Sequence, residues 1–176
     1  ITYPGLAGDV SASNDTLVKT VSNFAVGTNF GINFDGLDDR ITIADAAALN
    51  PTTAITVEAW INATTWRNSI AEGSIIAKDI DAPNRGYVLR CGKNGSIEFM
   101  ISDNGSWKSA ASPSVMLTNR WYHIAGVFDG SYVILYINGE MIARTPAAAL
   151  SVSPTVLLIG ESPTWSGRTF NGRMDE

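Results

Sequence analysis

Three aspartates fall within five residues in the stretch GINFDGLDDRITI, residues 31 to 43: Asp35, Asp38 and Asp39. Like charges held this close repel unless water or a cation screens them. The corner is therefore either a solvated acidic turn, with Asp39 paired to Arg40 or Arg173, or a calcium site. Calcium takes six to eight oxygens, and carboxylates with turn carbonyls supply several of them. Other metal and nucleophile chemistry has little to work with. His123 is the one histidine and Cys91 the one cysteine, so no set of ligands at zinc spacing exists. Cys91 makes no internal disulfide and reads as a small buried strand residue. His123 reads as a satisfied, half-buried histidine.

The elements that must hold these groups read as strands. In residues 31 to 43, Ile32 and Phe34, then Ile41 and Ile43, each give one apolar face at period two, and Asp35-Gly36 supplies the turn between them. AITVEAWINAT (54 to 64) places Ile55, Val57, Ala59 and Ile61 on one face and Thr56, Glu58, Trp60 and Asn62 on the other. Further strands follow at 75–77, 86–92, 96–102, 107–112, 120–128, 131–137, 140–145 and 156–160. Asn94-Gly95, Asn104-Gly105 and Asn138-Gly139 mark hairpin turns. One helical turn is expected in 44–54 before Pro51 stops it. Leu17 to Val21 and Phe24 to Val26 are expected as short edge strands. Roughly ten short strands with regular turns predict an antiparallel β-sandwich or jelly roll in a single domain over residues 1–176.

Composition narrows the partners. Of 176 residues 45% are hydrophobic, enough for a good core, and 16% are charged. The formal net charge is −5 with no basic run, which argues against nucleic acid. No apolar run reaches the roughly 18 residues that a membrane span requires, so no membrane insertion is expected.

The motifs FDGLDDRITI, LNPTTAITVEAWINAT, RWYHIAGVFDGSYVILYINGE, LLIGES and FNGRMDE occur in the order seen in laminin-G-like domains. From about residue 29 onward the chain resembles that family, a concanavalin A-like jelly roll. The resemblance implies that Trp60 and Trp121 lie in or near the core. It also implies that the first and last strands are neighbours, which would bring Asp175 towards Asp38 and Asp39 and make a bound Ca2+ structural. In the family the closing motif runs on into a further strand, whereas this sequence stops at Glu176. An open edge left beside it would favour a homodimer.

Sugar binding on such folds uses aromatic rings framed by polar side chains. Trp66, Trp107 and Trp165 are the loop or loop-edge candidates, with Asn68, Arg85, Tyr87 and Asn104 beside them. Laminarinase-like enzymes of similar fold carry an E-x-D-x-E pattern on one strand. Here Glu58, Glu72, Glu98, Glu140 and Glu161 each lack an aspartate two residues on, so no acid–nucleophile pair is visible. The expectation is a non-catalytic module of a secreted or surface protein that recognises a carbohydrate or glycoprotein. The alternatives are an adhesive protein–protein module and a glycoside hydrolase with carboxylates assembled across strands. The first two separate on whether Trp66, Trp107 and Trp165 converge on one groove.

Overall fold

Period-two alternation decides which side of each strand is buried, and two sheets close over one core. In this computed structural model residues 31–83, 85–113 and 115–175 are described; the expected strands at 17–21 and 24–26 lie outside them. Sheet A holds β1 (Ile32–Asp35), β3 (Ile55–Ala63), β8 (Tyr122–Phe128), β9 (Tyr132–Ile137), β10 (Glu140–Pro146) and β12 (Asn171–Asp175), in the order β1-β12-β3-β8-β9-β10. Sheet B holds β2 (Ile41–Ile43), β4 (Gly73–Lys78), β5 (Tyr87–Gly92), β6 (Ser96–Asp103), β7 (Ser106–Ala111) and β11 (Leu157–Ile159), in the order β2-β11-β4-β5-β6-β7. All pairings are antiparallel. The helical turn is a short 3-10 turn, Ala47–Leu49. Among the described residues no helix is long and apolar enough to cross a membrane.

The Asn-Gly pairs behave as their chemistry dictates. Asn94 and Gly95 have φ of 62° and 84°, Asn104 and Gly105 50° and 81°, Asn138 and Gly139 51° and 80°. Two successive positive φ values match the right-handed twist of the flanking strands, which makes tight hairpins. Between the sheets lie Ile61, Leu89, Ile97, Phe99, Ile101, Ile124 and Leu135, all fully buried. At Gly126 of β8 the sheets approach so closely that a Cβ would overlap the Phe99 ring of β6. Cys91 sits in this core, and burial pushes its thiol up to about 12, so it is an inert filler.

The expectation that Trp60 lies in or near the core fails. Trp60 is 39% exposed on the outer face of sheet A, its ring centroid 5.3 Å from that of His123. The alternation that buries Val57, Ala59 and Ile61 necessarily turns Trp60 outward with Glu58. Trp121 is half-buried just ahead of β8, with the Arg173 guanidinium 5.7 Å from its ring centre. His123 is half-buried as expected, 3.4 Å from Glu58.

The first and last described strands are neighbours, β12 lying between β1 and β3. Their register runs from Ile32↔Met174 to Asp35↔Asn171, while Asp175 pairs with Trp60. Beyond that pair, from Ile55 to Ala59, β3 has β8 on one flank and no described strand on the other.

Candidate ligand cleft and aspartate corner

The outer face of sheet B carries a small apolar floor. Ala77 of β4, Val88 of β5 and Met100 of β6 stand in one cross-strand row, and Trp107 of β7 packs against them. Trp165 closes the other side from the loop between β11 and β12. Trp107 and Trp165 line one cleft of about 100 Å3 together with Asp79, Arg90, Ser162 and Arg168.

Local hydrogen bonds fix the Trp165 loop. Ser162 Oγ accepts the amides of Thr164 (3.3 Å) and Trp165 (3.2 Å). Glu161 accepts the Gly167 amide with Oε1 and the Arg40 guanidinium with Oε2, at 3.3 Å and 3.0 Å. The Thr164 hydroxyl donates to the main-chain carbonyl of Asp79 at 2.6 Å. The Arg168 guanidinium lies 4.2 Å from the Trp165 ring centre, a cation–π contact that braces the indole.

The polar centre of the cleft is Asp79, at the end of β4. It is 2% exposed, and its Oδ1 has no hydrogen-bond partner among the described residues. Burial raises its carboxyl to about 6, against the opposing pull of Arg168 and Arg90. Arg90 is held by Glu98, donating from Nε at 2.8 Å and Nη2 at 2.6 Å to one carboxylate oxygen. The Arg168 guanidinium is shifted down, by burial first and by Arg90 second. The cleft thus presents two indoles, a buried acceptor and guanidinium donors. That set suits a ligand with one apolar and one hydroxyl-bearing aspect.

The seven sugar-site candidates separate. Trp107 and Trp165 converge on the cleft. Arg85 stands 5.5 Å over the Trp107 ring and donates to the Gly105 carbonyl, so it flanks the cleft. Asn104 is exposed in the adjacent β6–β7 turn, its amide bonded to Asp103. Tyr87 does not line this cleft: it is 5% exposed in the core, and its hydroxyl donates to the Leu49 carbonyl. Trp66 packs against the main core and does not join the other two rings. Its loop, which also carries the exposed Asn68, is tied by the Arg67 carbonyl to Lys93, at the β5–β6 turn and so at the far end of β6 from Asn104. The sequence did not single out Asp79, Arg90 or Arg168. Arg90 alternates with inward Leu89 and Cys91, a readable signal; the burial of Asp79 depends on a loop distant in sequence.

At the other candidate site Asp35, Asp38 and Asp39 do converge, their carboxylate oxygens within 4.8 Å of one another and exposed. Asp35 Oδ1 accepts the Leu37 amide at 2.7 Å and Asp39 Oδ2 the Asp35 amide at 2.9 Å. Arg67 and Thr169 both donate to the Gly36 carbonyl, which withdraws it as a metal ligand. Three carboxylates with oxygens to spare still fit a calcium ion. Asp175 does not join them. The strands are antiparallel, so Asn171 is the residue opposite Asp35, and Asp175 lies four residues further on, about 13 Å along the strand.

Two antiparallel sheets in this order, with a cleft on the outer face of one, define a jelly-roll β-sandwich domain. Residues 34–176 match the family described as the concanavalin A-like lectin/glucanases superfamily, in its laminin G form, and the chain belongs to it. No curated protein matches. Among solved structures, domains LG4-5 of the mouse laminin α1 chain share 13% identity at a TM-score of 0.64. That match covers 82% of this chain and 39% of the laminin fragment, well under half its length. The CBM40 of the Ruminococcus gnavus IT-sialidase, bound to α2,3-sialyllactose, shares 15% identity at 0.61, covering 83% of this chain and 86% of that one. Domain 4 of AbnA, an extracellular arabinanase from Geobacillus stearothermophilus, in complex with arabinotriose, shares 19% at 0.62, covering 82% and 67%. At these identities the likeness establishes the fold.

Proposed function

We propose that the protein is a non-catalytic carbohydrate-recognition module of a secreted or surface protein, with its site between Trp107 and Trp165. The observation that carries this reading is the buried Asp79 oxygen, without a hydrogen-bond partner among the described residues, in a cleft walled by two indoles. A buried acceptor without a donor costs roughly 1–3 kcal/mol, more when charged, and a ligand hydroxyl donating to it recovers that loss. The fold neighbours solved with sialyllactose and arabinotriose add support, since domains of this architecture do bind sugars. Binding without catalysis is favoured because glycoside hydrolysis needs two facing carboxyls. Asp79 is the one carboxylate among the cleft's lining residues, and nearby Glu98 is engaged by Arg90. A calcium ion at Asp35, Asp38 and Asp39 belongs to this reading as a structural ion, remote in role from the sugar.

A glycan-array screen in calcium and in EDTA tests the reading. Hits should vanish in Trp107→Ala and Trp165→Ala and persist in Trp66→Ala. Binding that survives both of the first two changes would remove the cleft from consideration.

A protein–protein role draws on a different observation. Beside the flank of β3 that has no strand among the described residues, Ile43, Leu49, Ile55, Val57, Ile76 and Leu157 line an apolar hollow of about 420 Å3. An extended segment, from a second copy or a partner, added there would pair the β3 edge and bury those side chains. Sedimentation that stays monomeric up to high protein concentration, together with no recovered partner, would leave the sugar reading alone.

A further inference from the structure

A second hollow adjoins the tryptophan cleft. It measures about 470 Å3, and Ser162 belongs to the walls of both. The two differ in scale and character. The cleft's roughly 100 Å3 is the liquid volume of about three waters, which takes the edge of a single sugar ring. The hollow is several times larger and is ringed by hydroxyls: Thr42 from β2, Thr155 ahead of β11, and Ser162, Thr164 and Ser166 from the Trp165 loop. Its floor is Leu158 of β11, nearly flush at 6% exposure. Arg40 stands at its margin, half-exposed but fixed by its 3.0 Å ion pair with Glu161, so its remaining N–H groups are held in place.

Resting on the carbohydrate reading of the cleft, we infer that this hollow is a second subsite, and that the ligand is a saccharide of at least two units. One ring edge sits between Trp107 and Trp165, and the chain continues over Ser162 into the hollow. The floor and rim explain why a sugar suits it. Leu158 supplies a small apolar surface for a C–H face, while the Thr42, Thr155 and Ser166 hydroxyls can both donate and accept; Ser162, which accepts two amides, keeps its O–H to donate, and Thr164, which donates to Asp79, keeps a lone pair to accept. The pairing of Arg40 with Glu161 keeps that margin close to neutral, which favours an uncharged second unit over an acidic one.

The test is calorimetric titration with three ladders of one to three units: arabinose to arabinotriose, xylose to xylotriose, and glucose to maltotriose. The ladder that binds should gain tenfold or more in affinity from one unit to two. Thr42→Ala, Thr155→Ala and the space-filling Thr42→Tyr should each cut that gain while leaving the affinity for the single unit within about twofold. Equal affinity for one and two units, unchanged in all three variants, would overturn the second subsite and leave the cleft reading standing. If no ladder binds and the glycan array is also blank, the cleft reading falls, and this inference with it.

Discussion

The hydroxyl of Thr164 donates a 2.6 Å hydrogen bond to the main-chain carbonyl of Asp79. This single contact joins the loop that presents Trp165 to the strand end that carries the cleft's buried carboxylate. Thr164→Val removes the donor and preserves the shape. It should lower stability by no more than about 1.5 kcal/mol, yet weaken the best array ligand several-fold by releasing the Trp165 loop. Thr164→Ser, which restores the hydroxyl, should restore affinity. A valine variant that binds like the parent would show that the loop is held by its Ser162 and Glu161 bonds alone.

Asp79 also predicts a pH dependence of stability. Its carboxyl is raised to about 6 in the folded chain from an ordinary 3.8. Between those values the folded state binds more protons than the unfolded one, so stability falls as pH rises. The penalty is absent below about pH 3.8 and fully present above about 6, where it reaches on the order of 3 kcal/mol. Asp79→Asn should therefore melt higher than the parent at pH 7.5 and close to it at pH 4. Parallel melting curves across that range would contradict the burial that raises this carboxyl.

Lys78 is fully buried, and its Nζ donates to Asp45 Oδ1 at 2.7 Å, to the Ser153 carbonyl at 2.5 Å and to the Thr155 carbonyl at 2.8 Å. All three ammonium donors are used, so the residue clips the approach to β11 onto β4. Lys78→Met keeps the volume but strands two carbonyls and should cost about 2–4 kcal/mol in urea unfolding. Asp45→Asn should cost clearly less, because Asp45 reaches water. Equal losses would mean that the ion pair dominates over the carbonyl bonds.

Calcium at the aspartate corner predicts a shift in melting temperature. At tenfold its dissociation constant an ion bound only to the native state adds roughly 1.4 kcal/mol, about 3–5 °C for a chain of this size. Asp38→Asn should abolish the shift while sparing the two carboxylate–amide bonds that shape the turn. No difference between calcium and EDTA would leave the corner as a solvated turn.

The strand pattern was legible from the residues because it rests on local rules. Alternation in 54–64 separated Val57 and Ile61 from Glu58 and Trp60, and each Asn-Gly pair named its own hairpin. Where resemblance overrode that alternation and put Trp60 in the core, the alternation proved right. Tyr87 shows the converse limit: beside Arg85 it looks like a loop ring, yet as the first residue of β5 it faces inward with Leu89.

Sequence by itself determined the strands, their turns, the all-β sandwich and the clustering of Asp35, Asp38 and Asp39, since each depends on neighbours within a few residues. Tertiary structure decided everything that needed two distant segments to meet. It set the β1–β12 register that keeps Asp175 from the aspartate corner, and it split Trp66 from Trp107 and Trp165. It also folded the Trp165 loop against the end of β4, which made Asp79, the residue just after that strand, the buried acceptor of the cleft. Burial and register are properties of the packed sheets, and no spacing along the chain encodes them.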